Sequence, residues 1–168
     1  MFLDFLGYTL AAMFKISIIC LGKFKEQAYI DLEKEYLKRL SPFGKVKILE
    51  LPEIGYKKQG EIDRVKEKEA ELIRKHLPEG AIVILMQENG TLRDSVEFAF
   101  TLDRLTSLGQ ELVFVIGSGV GLHPSLKDVA NYSFSLSKLT FPHNFARILL
   151  LEQLYRAGTI ISGKEYHK

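Results

Sequence analysis

ELVFVIGSGVGL, Glu111 to Leu122, decides the fold class. Glu111 to Ile116 is apolar after its first residue, which suits a strand buried on both faces of a parallel sheet. It empties directly into Gly117-Ser118-Gly119-Val120-Gly121, where three glycines in five residues let backbone N–H groups approach a ligand closely. In α/β sheets, ligands bind outside the carboxyl ends of strands, so the chemistry belongs here. The spacing GxGxG matches the dinucleotide fingerprint only in part. It comes in the fourth βα unit, and no acidic residue stands about 20 residues on along a following strand. A tight turn and a ligand-binding loop both remain open on these residues alone.

Outward from this stretch, strand and helix alternate. Lys15 to Leu21 is a second continuous apolar run, ending at Gly22. Tyr29, Leu32, Tyr36 and Leu40 then recur at helical spacing until Ser41-Pro42 stops them. Val46 to Leu51 reads as a strand, and Pro52 to Gly60 as a polar loop. Glu61 to His76 reads as a charged helix with Ile62, Val65, Leu72 and Ile73 on one face. Ala81 to Met86 is a buried strand ended by Glu88-Asn89-Gly90. Thr91 to Leu108 reads as a helix with Thr91 as N-cap, Asp94 completing a near capping box and Gly109 as C-cap. Tyr132 to Leu136 suggests a short fifth strand, and Asn144 to Ala157 a final helix apolar on nearly all sides. Strands separated by helices of this length imply βαβ units and a mostly parallel sheet with flanking helices.

The whole chain has 168 residues, 46% hydrophobic and 26% charged, the balance of one globular domain rather than a disordered or low-complexity chain. Residues 14–168 read as that single domain. Residues 1–13 form an apolar extension without the basic start of a secretory signal, and their uncharged stretch is about half the ~20 residues a spanning helix needs. An upstream start or a short surface helix would explain them. One cysteine, Cys20, and four scattered histidines leave no basis for a structural zinc site and suggest a reducing, cytoplasmic setting.

Three further stretches carry chemistry. Ser135 to His143, SLSKLTFPH, is too irregular for a helix and too apolar for a solvated loop, so its backbone groups need partners, a ligand among the candidates. His143 there is either a helix N-terminal cap or a functional group. Glu152 and Arg156 fall at i, i+4 in the last helix as an ordinary ion pair, though an arginine on so apolar a helix also suits an anion. Arg147 lies about 180° round that helix from Arg156, so the two cannot serve one site from one face. From residue 138 onward there are five basic residues against two acidic, whereas residues 1–137 hold 18 against 19. With Tyr166 and His167 able to stack on bases, this basic tail suits a phosphate-backbone partner.

Taken in order, Phe114-Val115-Ile116-Gly117, Gly121-Leu122, SLSKLTFPH, Arg147 with LLLEQLYRA, and Tyr166-His167-Lys168 resemble the RlmH family of SPOUT-class methyltransferases. These enzymes methylate N3 of a pseudouridine in large-subunit (23S) ribosomal RNA. The resemblance spans essentially residues 13–168 and implies an α/β-knot in which the C-terminal helix threads a loop. It implies S-adenosylmethionine (AdoMet) as methyl donor and a homodimer whose active site borrows from both subunits. No membrane or metal partner is implied. It implies cofactor contacts from Leu85, from the loop of Gly117, Ser118, Gly119 and Gly121, and from Leu136, Ser137, Lys138, Leu139, Thr140 and Phe141. Ser118 stands where the family pattern has the second of two adjacent glycines, and Val120 where it is more often polar. Methylating an imide-like nitrogen requires positioning and removal of its proton. His143, Arg147, Arg156, Tyr166 and His167 are the groups the resemblance offers for this work. A nucleotide- or phosphate-binding module of the ribosome without methyl transfer would use the same glycine loop and is the alternative.

Overall fold

The computed structural model describes residues 14–164. The expected extension over 1–13, and Tyr166 and His167 in the tail, lie outside the described residues. Five strands form one sheet: β1 (Phe14–Leu21), β2 (Gly44–Leu51), β3 (Ile82–Leu92), β4 (Leu112–Ile116) and β5 (Tyr132–Ser135). Their order is β2-β1-β4-β3-β5, and every neighbouring pair is parallel. The helices are α1 (Gln27–Leu40), α2 (Ile62–Lys75), α3 (Ser95–Thr106) and α4 (His143–Ile161).

The apolar runs are explained by burial on both faces. Ile16, Ile18, Leu112, Phe114, Ile116, Ile82 and Ile84 pack toward one side with residues of α3 and α4. Their strand neighbours Ile19, Leu21, Val113, Val115, Val83 and Leu85 pack toward the other with Ala70 and Ile73 of α2. Period-2 alternation thus places alternate residues of one apolar strand in two cores. Helix α4 packs on both α1 and α3. Its Leu150, Leu151 and Leu154 are covered within a single copy of the chain, while Phe145 stays exposed. Cys20 is buried, and burial pushes its thiol up to about 12.

The structure corrects two boundaries. β3 does not end at Met86: Met86 and Thr91 both face Phe134 of β5, so residues 87–90 form a bulge and pairing resumes through Leu92. Gly90 is required there, because a β-carbon on it would lie 2.4 Å from the Phe134 carbonyl carbon. Thr91 therefore belongs to the strand and is not an N-cap. Asp94 caps α3: its Oδ1 accepts from the Val96 and Glu97 N–H groups at 2.9 and 2.8 Å. The Glu97 carboxylate accepts from the Asp94 N–H at 3.1 Å, closing the capping box.

Candidate functional site

A cavity of about 850 Å³ opens at the carboxyl ends of β3, β4 and β5. Its walls are Met86 and the bulge residues Gln87 to Asn89, the segment Ile116 to Leu122, and most of the loop from Ser135 to Phe141. Lys66 and Lys127 also contribute to its lining. Three loops meet there because β3 and β4 are neighbours in the sheet and β5 lies beyond β3, so the segments that leave these strands converge.

Most of the expected cofactor residues are brought together. Gly117, Ser118, Gly119 and Gly121 line the cavity, as do Leu136, Ser137, Leu139, Thr140 and Phe141. Gly121 takes φ +80°, a left-handed conformation that favours glycine, and its N–H donates to the Ser118 carbonyl at 2.9 Å. Two of the expected residues do not line it. Leu85 is buried in the core on the α2 side, because its side chain alternates away from the cavity that Met86 lines. It borders instead a second depression of about 410 Å³. Lys138 is the one member of the 136–141 run that does not line the cavity.

His143 is the first residue of α4, and its ring lines the cavity rather than capping the helix, whose N-cap is Pro142. A β-carbon on Gly22 would lie 3.7 Å from its Nε2 and 3.4 Å from the Glu53 carboxylate. One on Gly119 would lie 3.9 Å from its Nδ1. The imidazole therefore stands between the turn after β1 and the glycine loop.

Neither of the two expected arginines lines this cavity within one copy of the chain. Arg147 is only 3% exposed and does not reach the cavity. Its guanidinium pairs with Glu33, donates to Glu50 at 2.8 Å, and lies over the Phe24 ring at 4.1 Å. It joins α4 to α1 and β2. Arg156 makes the i, i+4 pair with Glu152, Nη2 to Oε1 2.6 Å and Nε to Oε1 3.0 Å. It does not line the cavity.

The Ser118 side chain is turned toward α2. Among the described residues, none other than glycine has positive φ, so its backbone is ordinary. Its hydroxyl points into α2 and donates to Glu69 Oε2 at 2.8 Å. The Glu69 side chain is a feature that sequence reasoning missed. The signal was present: Val65, Glu69 and Ile73 repeat at i, i+4, so a carboxylate interrupts a buried stripe. Burial raises its pKa above the ordinary carboxylate value, and hydrogen bonds from Ile54 N–H and Ser118 partly oppose that. Among the described residues, no group of three His, Cys, Asp or Glu is placed to hold a metal, and no helix is long and apolar enough to cross a membrane.

A parallel α/β sheet with a glycine-lined cavity at its strand carboxyl ends defines a small-ligand-binding domain of the kind common among transferases. A family model described as "Predicted SPOUT methyltransferase" matches residues 14–167. The chain belongs to the SPOUT methyltransferase family. It is 46% identical over 153 residues to the ribosomal RNA large subunit methyltransferase H of Caldicellulosiruptor saccharolyticus, covering 91% of this chain and 99% of that one. It is 41% identical over 160 residues to the protein of the same name from Desulforamulus reducens, covering 93% and 100%. Among solved structures it is similar to the SpoU methyltransferase AviRb of Streptomyces viridochromogenes in complex with AdoMet, with TM-score 0.45 and 16% identity over 91% of this chain and 60% of that one.

Proposed function

We propose that this chain is an AdoMet-dependent methyltransferase acting on N3 of a pseudouridine in large-subunit (23S) ribosomal RNA. The near full-length similarity to ribosomal RNA large subunit methyltransferases carries the reading. The cavity supports it independently. Its volume of about 850 Å³ falls within the range of small-molecule sites. Its lining joins apolar side chains, Met86, Ile116 and Leu136, which suit an adenine ring, to glycine backbone that suits close polar contact.

Bound there, AdoMet supplies a methyl group on a sulfonium centre. The chain's own residues do the rest. The 117–121 and 135–141 loops grip the cofactor and fix the direction from which a nucleobase nitrogen must approach. The nitrogen carries an imide-like proton, so a group must remove it or stabilise the anion that forms. His143 is the titratable ring that lines the cavity, and it takes this part together with the tail residues Tyr166 and His167. Arg147, paired with Glu33 and Glu50, supports the helix that carries His143 in this reading.

Further features follow from family membership: a knotted path for the C-terminal helix, a homodimer, and a place in the cytoplasm beside ribosomes. Exposed apolar side chains near the cavity, Leu139 at 72% and Phe145 at 40%, support a second copy there. Two measurements test the function. Calorimetry with AdoMet should show binding by the purified chain, and mass spectrometry of ribosomal RNA from a deletion strain should show one methyl lost from a pseudouridine. Ribosomal RNA with unchanged methylation refutes the substrate.

A further inference from the structure

Glu69 uses its two carboxylate oxygens on two different loops. Oε2 accepts from the Ser118 hydroxyl at 2.8 Å, within the glycine loop, and Oε1 accepts from the Ile54 N–H at 3.0 Å, in the segment after β2. Glu69 is 2% exposed and Ser118 5%, so the bond between them is shielded from water. Glu53 and His143 lie near enough to act on its charge with opposite signs. The carboxylate thus stands behind the cavity wall, which it reaches through Ser118.

A loop with three glycines in five residues has many conformations open to it. A ligand that needs one of them binds with its affinity reduced by the fraction of time that shape is populated. The Gly121 N–H to Ser118 carbonyl bond closes the turn locally but does not fix it to the body of the protein. The Ser118 hydroxyl does, and a glycine at this position could not. We infer that Glu69 is a positioning residue which, through Ser118, holds Gly117 to Gly121 in the shape that receives the cofactor, and links that loop to the segment around Ile54. The inference rests on the assignment of AdoMet to this cavity. In this chain a serine–carboxylate tie does the work of restricting a loop whose family pattern has glycine at the same place.

Three variants of the full chain test it: Ser118→Ala, Glu69→Ala and Glu69→Gln. A hydrogen bond to a buried charged group is worth enough to shift a loop equilibrium roughly tenfold. Ser118→Ala should therefore weaken AdoMet binding about tenfold by calorimetry, with the loss in turnover carried mainly by KM for AdoMet. Glu69→Ala should do the same, and the double variant should bind no more weakly than Glu69→Ala alone, because both remove one tie. Glu69→Gln should restore most of the affinity, since its amide can still accept from Ile54 and donate to the serine oxygen. Hydrogen exchange at the Gly121 amide should quicken in Ser118→Ala whether or not AdoMet is the ligand, which separates this inference from the cofactor assignment. Wild-type protein that binds no AdoMet overturns that assignment. A folded Ser118→Ala protein with unchanged affinity and unchanged exchange at Gly121 overturns the role of Glu69.

Discussion

Replacing Arg147 by alanine separates structure from chemistry at a residue that resemblance places among the catalytic groups. Its side chain is 3% exposed, and the two carboxylates it serves are 17% and 29% exposed. Removing one partner of a buried ion pair costs about 3–5 kcal/mol, because the other charge is left uncompensated. Glu33 and Glu50 keep some contact with water, which favours the lower end, about 3 kcal/mol. Loss of the guanidinium's contact with the Phe24 ring at 4.1 Å works in the same direction. For a chain of this length, each kcal/mol moves the melting temperature by about 2–4 °C, so a fall of roughly 6–12 °C is expected. Calorimetric melting measures it, and AdoMet titration well below the new transition should show that the cavity still binds. Adding Glu50→Gln to the alanine variant should recover part of the loss by removing an orphaned charge. A melting temperature within about 2 °C of wild type, accompanied by loss of methyl transfer, would refute the structural assignment and return Arg147 to the chemistry.

Gly119→Val should leave the fold intact and abolish AdoMet binding, since a β-carbon there meets nothing nearer than His143 Nδ1 at 3.9 Å and projects into the cavity. Unchanged affinity by calorimetry would remove this loop from the cofactor site. Gly158→Ala should destabilise the protein despite a helix-propensity gain of about 1 kcal/mol, because the new β-carbon would lie 2.7 Å from the Phe43 ring and overpacking costs about 1–3 kcal/mol. A raised melting temperature would contradict it. Deleting residues 165–168 should leave AdoMet affinity and melting nearly unchanged while lowering methyl transfer by roughly 10²-fold, the low end of what a positioned acid–base group contributes. Undiminished turnover would exclude Tyr166 and His167 from the reaction.

What could be read from sequence follows the range of the interactions that set each feature. β1, β3 and β4 are legible because burial on both faces leaves continuous apolar runs, and the glycine loop because its composition is local. The start of α3 is not, since the bulge that claims Thr91 is set by pairing with Phe134, more than 40 residues away. For the same reason Glu88 and Asn89 read as the end of a strand and prove to be a cavity wall. Arg147 shows the limit most plainly: its partner Glu50 is 97 residues distant, so neither charge on its own discloses the pair. The resemblance names a catalytic role for the residue, and only the folded chain shows the ion pairs that hold it.

Glu69 gives the remaining step, because its position costs the fold something at working pH. Burial raises its pKa above the ordinary value of 4.5. A group whose folded pKa is raised binds its proton more tightly in the native state than in the unfolded one. Its favourable contribution is therefore complete below the unfolded pKa and declines as the pH climbs from 4.5 through the folded value. Above that window the buried carboxylate is ionised at a cost, offset in part by the Ile54 N–H and the Ser118 hydroxyl. Glu69→Gln removes the titration while keeping the shape of the side chain. The variant's stability relative to wild type should thus rise between pH 4 and pH 7, read from urea midpoints at a series of pH values. A difference that stays flat across that interval would show that Glu69 is not desolvated in the native state. A relative gain would show a carboxylate held behind the glycine loop against the preference of the fold, which is what a residue placed for the ligand rather than for stability should do.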